Sequence, residues 1–123
     1  MKILLVFLLL FSFVYADNDK HHYRKDLSYL ELTHTQKKQM KSILKEYRHK
    51  VKDYREYKED LIEEKEELFL EQILDEDNIR NINQKISEYA TKIEIDLLKQ
   101  IHAILSQEQK EKFEKYIEEW EIE

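Results

Sequence analysis

Leu32-Thr33-His34-Thr35-Gln36 opens the longest helix that the sequence predicts. Thr33 can accept a hydrogen bond from the backbone N–H three residues on, while the Gln36 side chain reaches back to the Thr33 N–H. This reciprocal capping box satisfies donors that a helix start otherwise leaves open. Leu32 stands where a hydrophobic staple belongs. Downstream, Met40, Leu44, Tyr47, Val51, Tyr54, Leu61 and Leu68 recur at spacings of three, four and seven, the stripe of an amphipathic helix rather than the alternation of a strand. The chain contains no glycine and no proline, so nothing breaks this pattern before Asp75. Roughly forty residues at 1.5 Å each would span ~60 Å, long enough to accommodate a bend between Tyr57 and Asp60.

Asp75-Glu76-Asp77-Asn78 combines capping residues with acidic groups suited to the positive end of a new helix. Ile79, Ile82, Ile86, Tyr89, Ile93, Leu97, Ile101 and Ile104 then form a second seam, and two such seams joined by a short loop predict an antiparallel hairpin. Ser106-Gln107-Glu108-Gln109 repeats the capping box, with Phe113, Tyr116, Ile117 and Trp120 as the apolar face of a last helix. The expected fold is all-α: an elongated helical hairpin with short flanking helices.

The N-terminus carries one charge at Lys2, an apolar run from Ile3 through Phe11 to Val14, and the small residue Ala16. This is the pattern of a secretory signal cleaved before Asp17, and its apolar run is shorter than the ~20 residues of a membrane-spanning helix. Residues 1–16 are therefore expected to be a signal peptide, 17–26 a flexible segment and 27–123 one helical domain. No membrane insertion is expected once the signal is removed. The periplasm is the expected location, and the absence of cysteine excludes a lipid-anchored lipoprotein.

Composition removes whole classes of function. With 21 Lys plus Arg against 27 Asp plus Glu, the formal net charge of −6 disfavours nucleic acid as a partner. Without glycine there is no phosphate-cradling loop, no dinucleotide fingerprint and no nucleophile elbow. Thiol chemistry is missing with the cysteines, and no nucleophile, base and orienting group can be nominated, so no enzyme activity is expected.

Charge is segregated along the first helix. From Lys37 to Lys58 there are nine basic and three acidic residues; from Glu59 to Asp77 there are one basic and ten acidic. The helix dipole favours the opposite arrangement, so the stability of a single helix does not account for it. An antiparallel pairing of two copies does, because the basic half of one then faces the acidic half of the other. The alternative is a solvated face supported by local pairs such as Glu46 with Lys50.

The two caps, read with their preceding leucines, resemble the paired L-T-x-x-Q motifs of the Spy/CpxP family of bacterial periplasmic proteins. Leu32, Thr33 and Gln36 match completely. Leu105, Glu108 and Gln109 match the common L-T-P-E-Q form, with Ser106 for threonine and Gln107 for proline. Both replacements preserve capping. The copies lie 73 residues apart with the helical hairpin between them. The resemblance implies four helices per subunit, a cradle-shaped antiparallel homodimer, ATP-independent binding of unfolded or misfolded periplasmic proteins, and regulatory docking on an envelope sensor kinase. No cofactor is expected, with zinc as the alternative.

For such binding, tyrosines offer apolar area with a polar tip, and cations offer long-range attraction for acidic clients. Lys41, Lys45, Arg48, Lys52, Arg55 and Tyr57 are the candidate client contacts, whereas Tyr47 and Tyr54 lie on the heptad seam and are expected to pack it. The competing reading is a zinc-type metal-binding stress sensor or resistance protein. Of the five histidines only His21 and His22 are adjacent, and His34, His49 and His102 lack a partner at ligand spacing. Glu63, Glu64, Glu66 and Glu67 read as a solvated acidic face.

Overall fold

The computed structural model describes residues 26–122. The signal peptide, most of the segment 17–26, and His21 and His22 lie outside the described residues. Among those described, every regular element is helical. The chain divides into two units between Glu31 and Leu32.

The described part of the first unit is one 3-10 turn, Ser28–Leu30, begun by Asp26, whose Oδ1 accepts from the Ser28 N–H at 2.9 Å. It ends at Glu31, which takes the left-handed conformation at φ 50° and donates its N–H to the Ser28 carbonyl at 3.1 Å. That conformation costs a non-glycine residue about 1 kcal/mol, and here no glycine exists to take the position.

The second unit contains α1 (His34–Phe69), α2 (Glu76–Ile104) and α3 (Gln107–Glu114), then a 3-10 turn at Ile117–Trp120. Each α-helix begins on a capping side chain read in the sequence: Thr33, Asp75 and Ser106 accept from the backbone N–H of Gln36, Asn78 and Gln109. The two capping boxes are complete on both sides. α1 is one continuous helix of 36 residues, about 54 Å long at 1.5 Å per residue. It stops at Phe69, six residues short of Asp75, so the connection is wider than the uninterrupted apolar pattern predicts.

Contacts between α1 and α2 run in opposite order along the two helices, which makes the pair an antiparallel hairpin. Near the α1 start Gln36 reaches the Ile104 carbonyl; farther along Lys50 meets Asp96; then Tyr57 stacks on Tyr89, and at the closed end Leu61 and Leu68 pack with Ile82. Buried along the seam are Met40, Ile43, Tyr54, Leu61 and Leu68 from α1 and Ile82, Ile93, Leu97 and Ile101 from α2. Each fully buried aliphatic side chain contributes about 1.5–3 kcal/mol through removal of apolar area from water. Ile43 joins the core beside Met40, while Leu44, Tyr47 and Val51 are half-buried at its margin.

The four implied helices are three α-helices flanked by 3-10 turns. The left-handed Glu31 closes the first turn before it can lengthen. At the other end the helix stops at Glu114, and i→i+3 bonds from Tyr116 to Phe113 and from Glu119 to Tyr116 tighten the chain. This change of period buries Phe113 and Trp120 but leaves Tyr116 and Ile117 exposed, so the expected four-residue apolar face is only half used. No described helix is long and apolar enough to cross a membrane.

Candidate functional site: a clamp, a lysine-rimmed groove and a charged helix

At the open end of the hairpin the two motifs meet. Gln36 Nε2 donates to Gln109 Oε1 at 2.8 Å, Gln109 Nε2 donates to Gln36 Oε1 at 3.0 Å, and Gln36 Nε2 also donates to the Ile104 carbonyl at 2.8 Å. Each Oε1 at the same time accepts from its own cap, Gln36 from the Thr33 N–H and Gln109 from the Ser106 N–H, both at 2.9 Å. The glutamine is thus cap and clamp together. A carboxylate would cap equally well but could not donate across to the other motif. Leu105 is buried and Leu32 half-buried beside these caps. The clamp fixes where α3 starts, and α3 with the 3-10 turn after it then brings Phe113 and Trp120 against the hairpin: the Trp120 ring lies 6.1 Å from Phe113 and meets Tyr47 edge-on, also at 6.1 Å.

Midway along the hairpin Lys50 bridges the helices. Its Nζ contacts Asp96 across the pair and Glu46 at 3.1 Å on its own helix, the local pair the sequence suggests. Asp96 also accepts from Gln100 at 3.3 Å. The hydrogen bond from Lys50 holds the Asp96 carboxyl below its usual range, and the bonds to Asp96 and Glu46 raise the Lys50 ammonium above its own. Desolvation raises Tyr47 and Tyr54, so both hydroxyls stay protonated at neutral pH.

Lys41, Lys45, Arg48, Lys52 and Arg55 are all exposed. Their spacing alternates four and three, which places them in one solvent-facing stripe on α1. Tyr57 does not join them: it is half-buried, stacked on Tyr89 at 5.0 Å, and packed against the Leu61, Leu68 and Ile82 cluster. Tyr54 is fully buried against Tyr89 at 5.6 Å. His34, His49 and His102 are exposed, and among the described residues no group of three or more His, Cys, Asp or Glu is placed to hold a metal ion.

Two apolar features lie off the seam. On α2 an open groove of about 800 Å³ has Tyr89, Ile93 and Ile95 as apolar lining and Lys50, Lys92 and Lys99 among its charged residues. Ile95 is 60 % exposed there. Its signal is an isoleucine two residues off a seam otherwise kept by Ile93 and Leu97. At the closed end, Phe69, Leu70, Ile73 and Leu74 are 74 %, 84 %, 83 % and 44 % exposed.

No curated protein and no solved structure matches the chain. The sequence signature of the LTXXQ motif family proteins matches residues 18–116, a span that contains both capping boxes, the whole hairpin and α3. With one motif complete, the second carrying Ser106 for threonine, and the two clamped to each other, the chain belongs to the LTXXQ motif family, which includes the Spy/CpxP-like periplasmic stress and chaperone-like proteins.

Proposed function

We infer that the protein is an ATP-independent chaperone of the periplasm, holding unfolded or misfolded proteins on exposed helical surfaces and working as an antiparallel homodimer. The observation that carries this reading is the α2 groove, where exposed Ile95 lies with Lys92, Lys99 and Glu88, next to the paired Lys50 and Asp96. Apolar area gives weak, sequence-tolerant attachment to a non-native chain, and flanking cations attract acidic segments without enclosing them. The exposed stripe Lys41, Lys45, Arg48, Lys52 and Arg55 extends that attraction along α1. Release needs no nucleotide, because an open surface lets a folding client leave as its own apolar residues become buried.

The test is light scattering of an aggregating client with near-stoichiometric protein, without ATP, in chelator and again with added zinc. Suppression in chelator is the expected result, with substantial loss in the variant I95D/K92E/K99E. Failure to suppress in both conditions overturns the reading and favours regulatory docking on a sensor kinase. Suppression only with zinc would overturn its metal independence and promote the histidines to ligands.

A further inference from the structure

The closed end of the hairpin is a surface of a different kind from the groove. Phe69, Leu70, Ile73 and Leu74 fall within six residues, and the first three are more exposed than Ile62, Ile95, Tyr116 or Ile117, the other exposed large apolar residues among those described. The core ends just beneath them, at Leu68, Ile79 and Ile82, so burial of the tip residues is not required by the hairpin itself. Beside them, beyond the end of α1, are Glu71, Asp75, Glu76 and Asp77, all exposed. Among the described residues only Asp77 of these forms an ion pair, with Arg80 at 3.1 Å on the exposed surface. A loop whose apolar side chains face water inside an acidic rim is matched by a ligand that supplies both apolar area and positive charge.

We propose that the hairpin tip is a docking site for a cationic amphipathic protein segment, in which apolar side chains cover Phe69, Leu70 and Ile73 while lysines or arginines face Glu71 and Glu76. A second copy of this chain supplies only half of that chemistry. Its basic stretch, Lys37 to Lys58, has the charge, but among the described residues none of the exposed large apolar side chains lies within it. An anionic lipid surface meets the acidic rim with like charge and is disfavoured. The site stands independently of the chaperone reading, whose exposed stripe on α1 is cationic and selects the opposite charge.

The experiment is fluorescence anisotropy with two labelled helical peptides of equal length, one of leucine and lysine and one of leucine and glutamate. The proteins compared are the wild type, F69S/L70S/I73S and E71Q/E76Q. All five positions are exposed, and circular dichroism checks that the helices persist. The expected result is leucine-lysine binding weakened about tenfold or more by the serine variant and about threefold or more by the glutamine variant. Leucine-glutamate binding should be unchanged by either. Undiminished leucine-lysine binding in the serine variant overturns the proposal, as does an equal loss for both peptides. Sedimentation of the serine variant supplies a further control: weakened self-association would assign the tip to a contact between copies and overturn the cationic partner. Tip-dependent binding to anionic or zwitterionic vesicles without peptide binding would likewise overturn it in favour of lipid.

Discussion

Gln36 and Gln109 show how one residue type can serve two levels of structure. Each side-chain oxygen accepts from its own helix cap, and each amide nitrogen reaches the other motif, so neither oxygen nor nitrogen can be replaced by the other. Q36A should destabilise the protein by about 1–3 kcal/mol, because it removes a cap bond and leaves polar partners unsatisfied in a partly buried setting. Q36E should cost less at neutral pH, since its carboxylate still caps Thr33 but cannot donate to the Ile104 carbonyl. Acidification through the carboxylate range should restore part of the loss by supplying a donor. Urea unfolding of Q36A, Q109A and the pair gives the coupling: a value near zero would mean that the motifs cap independently. The caps were legible because Thr33 with Gln36 and Ser106 with Gln109 are local patterns. Their meeting was not, because no local rule joins side chains 73 residues apart. Nothing in the glycine-free sequence marks Glu31 for the left-handed conformation it takes.

Among the elements, the seam of α1 was readable by period, and its margins were not. Heptad spacing identifies Met40, Tyr54, Leu61 and Leu68 as core, whereas Tyr57, off that spacing, looked free to meet a client. α2 changes the outcome by bringing Tyr89 between Tyr54 and Tyr57, at 5.6 and 5.0 Å. Y57A should therefore cost about 1–3 kcal/mol in urea unfolding, by lost stacking and lost contact with Leu61, Leu68 and Ile82. Unchanged stability with reduced client holding would return Tyr57 to the surface role. The end of α1 was hidden for a related reason: Phe69, Leu70, Ile73 and Leu74 are apolar, so they prolong a helical pattern on paper although they lie exposed around a turn. The Lys50 and Asp96 bridge was equally hidden, since both residues look like ordinary members of charged helices until the hairpin register sets them opposite. Its pH effect has a definite sign. Asp96 is lowered in the folded state, so its contribution is present above the unfolded value of 3.8 and fades as pH falls below it; Lys50 is raised, so its contribution is present below 10.5 and fades above it. Both side chains are more than a third exposed, which keeps the effect to a fraction of that of a buried pair.

For the molecule as a whole, the division of charge along α1 is the largest feature the hairpin does not use. Within the described residues the recorded ion pairs of α1 involve Lys50 with Glu46 and Asp96; the stripe from Lys41 to Arg55 and the acids from Glu59 to Glu67 have no recorded ion pair with each other. An antiparallel second copy would set nine basic residues of one half against the acidic half of the other, reciprocally and by one two-fold axis. Self-association should then be strongest at low ionic strength and fall about tenfold or more between 20 and 500 mM salt, as the screening length shortens from ~20 Å to ~4 Å. Sedimentation equilibrium at micromolar concentration measures this directly, and a monomer at low salt would remove the dimer. Charge reversal makes the test specific to the pairing. K45E/R48E/K52E should be monomeric alone, because its first half is then neutral, with six basic residues against six acidic, and no longer attracts the acidic half of another copy; E63K/E66K/E67K should be monomeric because both halves of α1 are then basic. Mixed in equal amounts they should associate as a heterodimer, since the basic first half of E63K/E66K/E67K meets the intact acidic half of K45E/R48E/K52E. Association of either variant alone, or none in the mixture, would mean that α1 carries its charges to solvent or to clients and not to another copy of itself.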